Sequence, residues 1–103
     1  MILYEVRLDV DAAIAAAFRT WLGEHVREIV ALPGFVRADI VREERGEGRV
    51  GWCTQYWLRD RAALDAYLRD HAPRLRADGL QRFADRFTAE RRVGELEQQF
   101  DAP

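Results

Sequence analysis

"FVRADIVREERGEGRVGWCTQYWL", residues 35–58, decides the fold. Its first nine residues place Val36, Ala38 and Ile40 on one parity and Arg37, Asp39 and Val41 on the other, the period of a strand with one buried face. "ERGEG" (44–48) is a polar glycine turn, and "RVGWCTQYWL" (49–58) is rich in the aromatic and β-branched residues that suit strands. Two such runs around a short turn predict an antiparallel hairpin. Its core-facing side is expected to carry Val36, Ala38 and Ile40 with Val50, Trp52, Thr54, Tyr56 and Leu58.

Upstream of the hairpin, "AAIAAAFRTWLGEHVREIVAL" (12–32) has helix-forming composition, with apolar residues three and four apart. Asp9 or Asp11 can cap its start and Pro33-Gly34 ends it. Before it, residues 2–10 alternate as a strand with Ile2, Tyr4, Val6, Leu8 and Val10 on the buried side. Downstream, Asp60 is placed to cap "RAALDAYLRDHAPRLRADGLQRF" (61–83), where Pro73 predicts a kink or break near His71 and Ala72. "DRFTAERRV" (85–93) completes a fourth strand with Phe87 and Ala89 inward, and "GELEQQFDAP" (94–103) reads as a polar tail. The order βαββαβ predicts one α+β domain over residues 1–93. It is a ferredoxin-like split βαβ with both helices on one face of a four-stranded antiparallel sheet.

The opposite sheet face would carry Glu5, Arg7, Arg37, Asp39, Val41, Cys53, Gln55, Trp57, Thr88 and Glu90. That mixture is too apolar for a purely solvated surface and too charged for an ordinary core. A second copy packing there accommodates both, so a homodimer is expected.

Composition narrows the classes. In 103 residues, 49% are hydrophobic, enough for one core, and 16 basic against 18 acidic side chains leave a net charge of -2. No overall field draws such a chain to nucleic acid or to an anionic membrane. The longest apolar run, "AAIAAAF" at 12–18, is too short to span a bilayer, and "MILYEVRLDV" has no signal-peptide pattern. With one cysteine, Cys53, no intrachain disulfide forms, and a cytoplasmic location is expected. RNA-recognition domains share this topology but display aromatics on the open sheet face, whereas Trp52 and Tyr56 have helix-facing parity. Nucleic-acid binding is not expected.

The unusual feature is histidine on apolar faces. At about 100° per residue, with Ile14 at zero, Trp21 falls near -20°, His25 near 20° and Phe18 near 40°, so His25 is expected mid-stripe. With Leu64 at zero, His71 falls near -20°, between Tyr67 and Leu68. Both imidazoles thus point toward a sheet bearing Tyr4, Trp52, Thr54 and Tyr56. Two readings follow. Each histidine can be a core residue satisfied by one hydrogen bond. Alternatively, an apolar cleft between helices and sheet holds a planar ligand, with His25 as general base and Trp21, Tyr4, Trp52, Tyr56 and His71 around it. His71 also suits a purely structural role at the kink. Two histidines supply at most half of a tetrahedral metal shell, so no metal site is expected, and no cofactor is required by the residues themselves. Cys53, with no basic neighbour in sequence, reads as a small packed residue.

Trp21, His25, Glu28 and Pro33-Gly34-Phe35 resemble the first-helix signature of the dimeric α+β barrel superfamily. "MILYEV", "TWLGEHV", "TQYW" and "YLRDHAPRLRADGLQRFADRF" are more closely similar to a small bacterial family known only as a domain of unknown function. The resemblance runs from Met1 to about Val93, and its most specific piece is His71-Ala72-Pro73 with Leu75-Arg76. It implies paired four-stranded sheets closing an eight-stranded barrel across a dimer. Superfamily members include cofactor-independent monooxygenases, lactone isomerases and haem-dependent enzymes, so the fold alone does not carry a reaction. The expected function is binding of a small aromatic or enolic molecule. The alternatives are a non-enzymatic dimerisation module with structural histidines, a cofactor-independent monooxygenase or isomerase, and a haem-binding barrel.

Overall fold

The computed structural model describes residues 1–103. Strand β1 (Ile2–Asp11) leads through a single 3-10 turn, Ala12–Ile14, into helix α1 (Ala15–Val30). Strands β2 (Phe35–Glu43) and β3 (Arg49–Leu58) form the hairpin. Helices α2 (Arg61–Asp70) and α3 (Ala72–Phe83) follow, and β4 (Phe87–Glu95) closes the sheet. The strand order is β2-β3-β1-β4 and every pairing is antiparallel, the ferredoxin-like arrangement expected from the pattern.

The chain ends of each element have identifiable causes. The Asp11 carboxylate accepts the Ala13 amide hydrogen at 2.9 Å and so starts the turn before α1, while also accepting from Arg86 Nε at 2.8 Å, which ties β1 to the approach of β4. Asp60 does the same for α2 through the Ala63 amide at 2.9 Å. Gly34 has φ +88°, and a Cβ there would collide with the Cβ of Ala63, so glycine lets β2 begin directly beneath α2.

One expectation is corrected. Val36 does not face the core: a β-bulge between Phe35 and Arg37 sets Phe35 opposite Leu58 and leaves Val36 51% exposed. The inward place is taken by Phe35, whose ring packs edge-on against Tyr56 and Tyr67. Strict alternation fails there because the bulge adds one residue to β2. The kink or break expected near His71 and Ala72 is a break, which divides the second helix into two. At His71 (φ -126°, ψ -37°) the amide donates to the Tyr67 carbonyl while the carbonyl accepts from Leu75, and Pro73 sits in the first turn of α3, where a missing amide hydrogen costs nothing. Strand β4 also extends to Glu95, pairing Gly94 with Leu3, so the sheet takes in the first two residues of the expected tail.

The core lies between the sheet and the helices, with Val10, Phe18, Leu58 and Leu64 fully buried. On the other sheet face, Glu5 is only 7% exposed. It accepts from Gln55 Nε2 at 2.9 Å and from Arg92, whose guanidinium holds the carboxyl below the usual range. Cys53 packs against it and its thiol is pushed up to about 11, first by burial and then by the Glu5 charge. A thiol so placed stays protonated, in keeping with a packed residue rather than a nucleophile. No helix is long and apolar enough to cross a membrane.

Candidate functional site

Helices and sheet do not close completely. Between them lies a cavity of about 420 Å³. Its floor is Tyr4, Val6 and Leu8 of β1, Thr54 and Tyr56 of β3, and Phe87, Ala89 and Arg91 of β4. Trp21, Leu22, His25 and Ile29 of α1 form one wall, and Leu75, Arg76, Gly79 and Leu80 of α3 form the other, with Tyr67 of α2 between them. The size and the mainly apolar walls with a few polar groups are those of a small-molecule site.

Local sequence explains why the space persists. Gly79 brings α3 so close to α1 that a Cβ there would lie 3.0 Å from the Trp21 ring. Trp21 is held in turn by its indole N–H, which donates to Asp78 at 2.9 Å, and Asp78 is itself anchored by Arg82. The pinned indole stacks on the His25 ring, with centroids 4.4 Å apart and 23° between planes. Asp78, Trp21 and His25 therefore form a chain that fixes the imidazole plane.

Of the expected site residues, the structure brings Trp21, His25, Tyr4 and Tyr56 together on this cavity and places two elsewhere. Trp52 does not line it: its ring lies under Phe18, nearly parallel at 6.0 Å, with the Arg42 guanidinium over the ring at 6.0 Å. His71 does not line it either. Helix α2 ends at Asp70, so the periodicity that projected His71 toward the sheet stops one residue short of it. The position of His25 also shifts. The buried stripe of α1 is Phe18, Leu22, Val26 and Ile29, and His25 with Trp21 lies on its flank, half-buried. Ile14 belongs to the preceding turn and is a poor origin for the helical wheel.

Tyr67, Arg76 and Arg91 line the cavity without being among the expected site residues. Arg91 was accessible by extending the Phe87, Ala89 parity by two residues, and it lies opposite Val6 in the sheet. Arg76, exposed on α3, carries no such signal in the sequence. Its guanidinium donates to the Tyr4 hydroxyl at 3.1 Å.

No protein group hydrogen-bonds either nitrogen of His25, so the bond expected of a core histidine is missing. Burial lowers its pKa from the ordinary 6.5, opposed by the charges of Glu28 and Asp78 and assisted by Arg91. The ring is therefore a neutral acceptor near pH 7. Burial pushes Tyr67 up to about 12 and Tyr56 higher still, so both phenols remain donors. Because the folded-state value of His25 lies below the unfolded one, protonation favours unfolding. Its contribution to stability is complete above about pH 6.5 and is lost as pH falls through the lower folded value. Urea midpoints measured between about pH 7.5 and 5 are expected to fall more steeply for the native protein than for His25→Gln. No group of three or more His, Cys, Asp or Glu side chains is arranged to hold a metal ion.

A family model described as a domain of unknown function (DUF4286) matches residues 1–98. The chain belongs to the DUF4286 family. No curated protein matches it. Solved structures similar to this DUF4286 chain share its fold. One, from Deinococcus radiodurans and described as an antibiotic biosynthesis monooxygenase, is 14% identical with a TM-score of 0.79, over 100% of this chain and 99% of that one. SnoaB from Streptomyces nogalater, a cofactor-independent oxygenase, is 19% identical with a TM-score of 0.70, over 98% of each chain. The haem degrader MhuD from Mycobacterium tuberculosis, solved with two haems in its active site, is 17% identical with a TM-score of 0.71, over 98% of this chain and 100% of that one. These neighbours are dimeric α+β barrels. At such identities the likeness is one of fold.

Proposed function

We propose that this protein binds a small aromatic or enolic molecule in the helix–sheet cavity, with His25 accepting the proton of its acidic hydroxyl. The carrying observation is a half-buried imidazole, without a partner in the protein, on the wall of a ligand-sized aromatic cavity. A neutral ring there is chemically a hydrogen-bond acceptor and a base. Its plane is set by Trp21, so a hydroxyl entering between the tyrosines and α1 meets a preformed acceptor rather than one that must be ordered on binding. Removal of the hydroxyl proton would leave an electron-rich enolate or phenolate, the step with which a cofactor-independent oxygenation or an isomerisation begins. The test is binding of 2-naphthol, followed by quenching of tryptophan fluorescence, in the native protein and His25→Ala. Loss of affinity on a folded background supports the reading, and equal affinity refutes it.

The functional unit in this proposal is a homodimer joined through the Glu5, Cys53 and Gln55 face of the sheet. The apolar side chain of Val41, opposite Cys53 on that face and 44% exposed, and the dimeric barrels among the structural neighbours support this.

Haem binding is a second reading, favoured by the same observation: one free imidazole on an apolar wall meets the minimal demand for axial ligation. Bound haem would supply redox chemistry at iron, and His25 would hold it. Titration with haemin is expected, on this reading, to give a saturable Soret shift that His25→Ala removes; an unshifted band rejects it. Failure of both ligand tests would leave a dimerisation module with structural histidines.

A further inference from the structure

We propose that the cavity selects an anion, namely an aromatic molecule carrying a carboxylate whose charge is received by Arg91 and Arg76 at the mouth. The inference rests on the cavity being a ligand site and adds the chemical class of what enters it.

Ten of the sixteen arginines are salt-bridged to Asp or Glu. Arg76 and Arg91 are not among them, and both line the cavity. No carboxylate lines it with them. The acidic groups close enough to influence His25 are Glu28 and Asp78, and each already has partners: Glu28 accepts from Arg74 at 3.1 Å, and Asp78 from Trp21 and Arg82. The positive charge of Arg91 is felt by His25, Tyr56 and Tyr67, on three different elements of the wall. Arg76 is steered to its place by the Tyr4 hydroxyl.

The lining is therefore lopsided. It offers two guanidiniums, the phenols of Tyr56 and Tyr67 and one neutral imidazole, with no negative group to balance them. Guanidinium is suited to a carboxylate through parallel charge-assisted hydrogen bonds, and the low-dielectric wall behind it strengthens the attraction. A cationic ligand would meet two like charges. An uncharged one would gain only from the aromatic floor. An aromatic carboxylate satisfies both halves of the site, with its ring on Tyr4 and Tyr56 and its charge at the arginine end.

The test uses 2-naphthoate and methyl 2-naphthoate, which share the ring and differ in charge, with affinities measured by calorimetry at low ionic strength. In the native protein the acid is expected to bind about tenfold more tightly than the ester, a preference that salt erodes. Arg91→Gln and Arg76→Gln are each expected to weaken naphthoate by roughly five- to tenfold and to leave the ester nearly unchanged, whereas Arg91→Lys, which keeps the charge but not the paired hydrogen bonds, retains part of the preference. Arg91 makes no salt bridge or side-chain bond within the chain, so its variants test charge without disturbing the fold. If the ester binds as well as the acid, or neither glutamine variant weakens naphthoate, the anion preference is overturned while the cavity stands as a site for neutral aromatics. If neither compound binds, the ligand site itself falls with it.

Discussion

His25→Ala is expected to weaken 2-naphthol binding by roughly five- to 150-fold, while the circular dichroism spectrum and urea midpoint at pH 7 stay close to those of the native protein. Truncation leaves the ligand hydroxyl in a half-buried place without its acceptor, a loss of about 1–3 kcal/mol. For a reaction limited by removal of that proton the rate should fall further, by about 10²–10⁴. The fold should tolerate the change because His25 lies on the flank of the α1 stripe and makes no hydrogen bond that holds two elements together. Restoring an acceptor of similar reach with His25→Gln should recover part of the binding but not the proton transfer, since an amide is not a base. A variant that unfolds, with no loss specific to the ligand, would instead mark His25 as a core residue.

Phe18→Ala is expected to have the largest effect on stability, about 3–5 kcal/mol by urea unfolding, comparable with the entire stability of a marginal domain. Phe18 is fully buried, and its ring meets Trp21 at 5.4 Å, Trp52 at 6.0 Å, and Phe83 and Phe87 at 5.0 Å each. It thus joins α1, α3, β3 and β4 at one point. Removing it should also free the Trp21 indole, so binding of 2-naphthol in the surviving folded fraction is expected to fall as well. A loss below about 1 kcal/mol would mean that the aromatic cluster repacks and does not set the spacing of helices and sheet.

The fold was legible because each signal was local. Alternation in residues 2–10 and 35–58, the Asp11 and Asp60 caps and the Pro33-Gly34 stop all act within a few residues of where they stand. What escaped was non-local. The bulge at Val36 depends on how β2 meets α2 at Gly34 and Ala63, which strand periodicity does not encode. Trp52 has the inward parity expected of it, yet whether an inward residue faces a cavity or a packed ring depends on Phe18 lying above it. His71 was projected along a helix that ends one residue earlier. The polar half of the site was missed for a related reason: Arg76 and Arg91 look like ordinary surface arginines in sequence, and only their shared cavity, with no carboxylate in its lining, distinguishes them.

The two histidines provide their own control for the central claim. In protein labelled with ¹⁵N at histidine, the ring nitrogens of His25 and His71 can be followed separately as 2-naphthol is added at pH 7. The expected result is a saturable shift of the His25 signals alone, with His71, at the break between α2 and α3 and outside the cavity, unmoved. Signals of both rings that stay fixed, or a shift confined to His71, would contradict the assignment of the cavity beside His25 as the place where this protein meets its ligand.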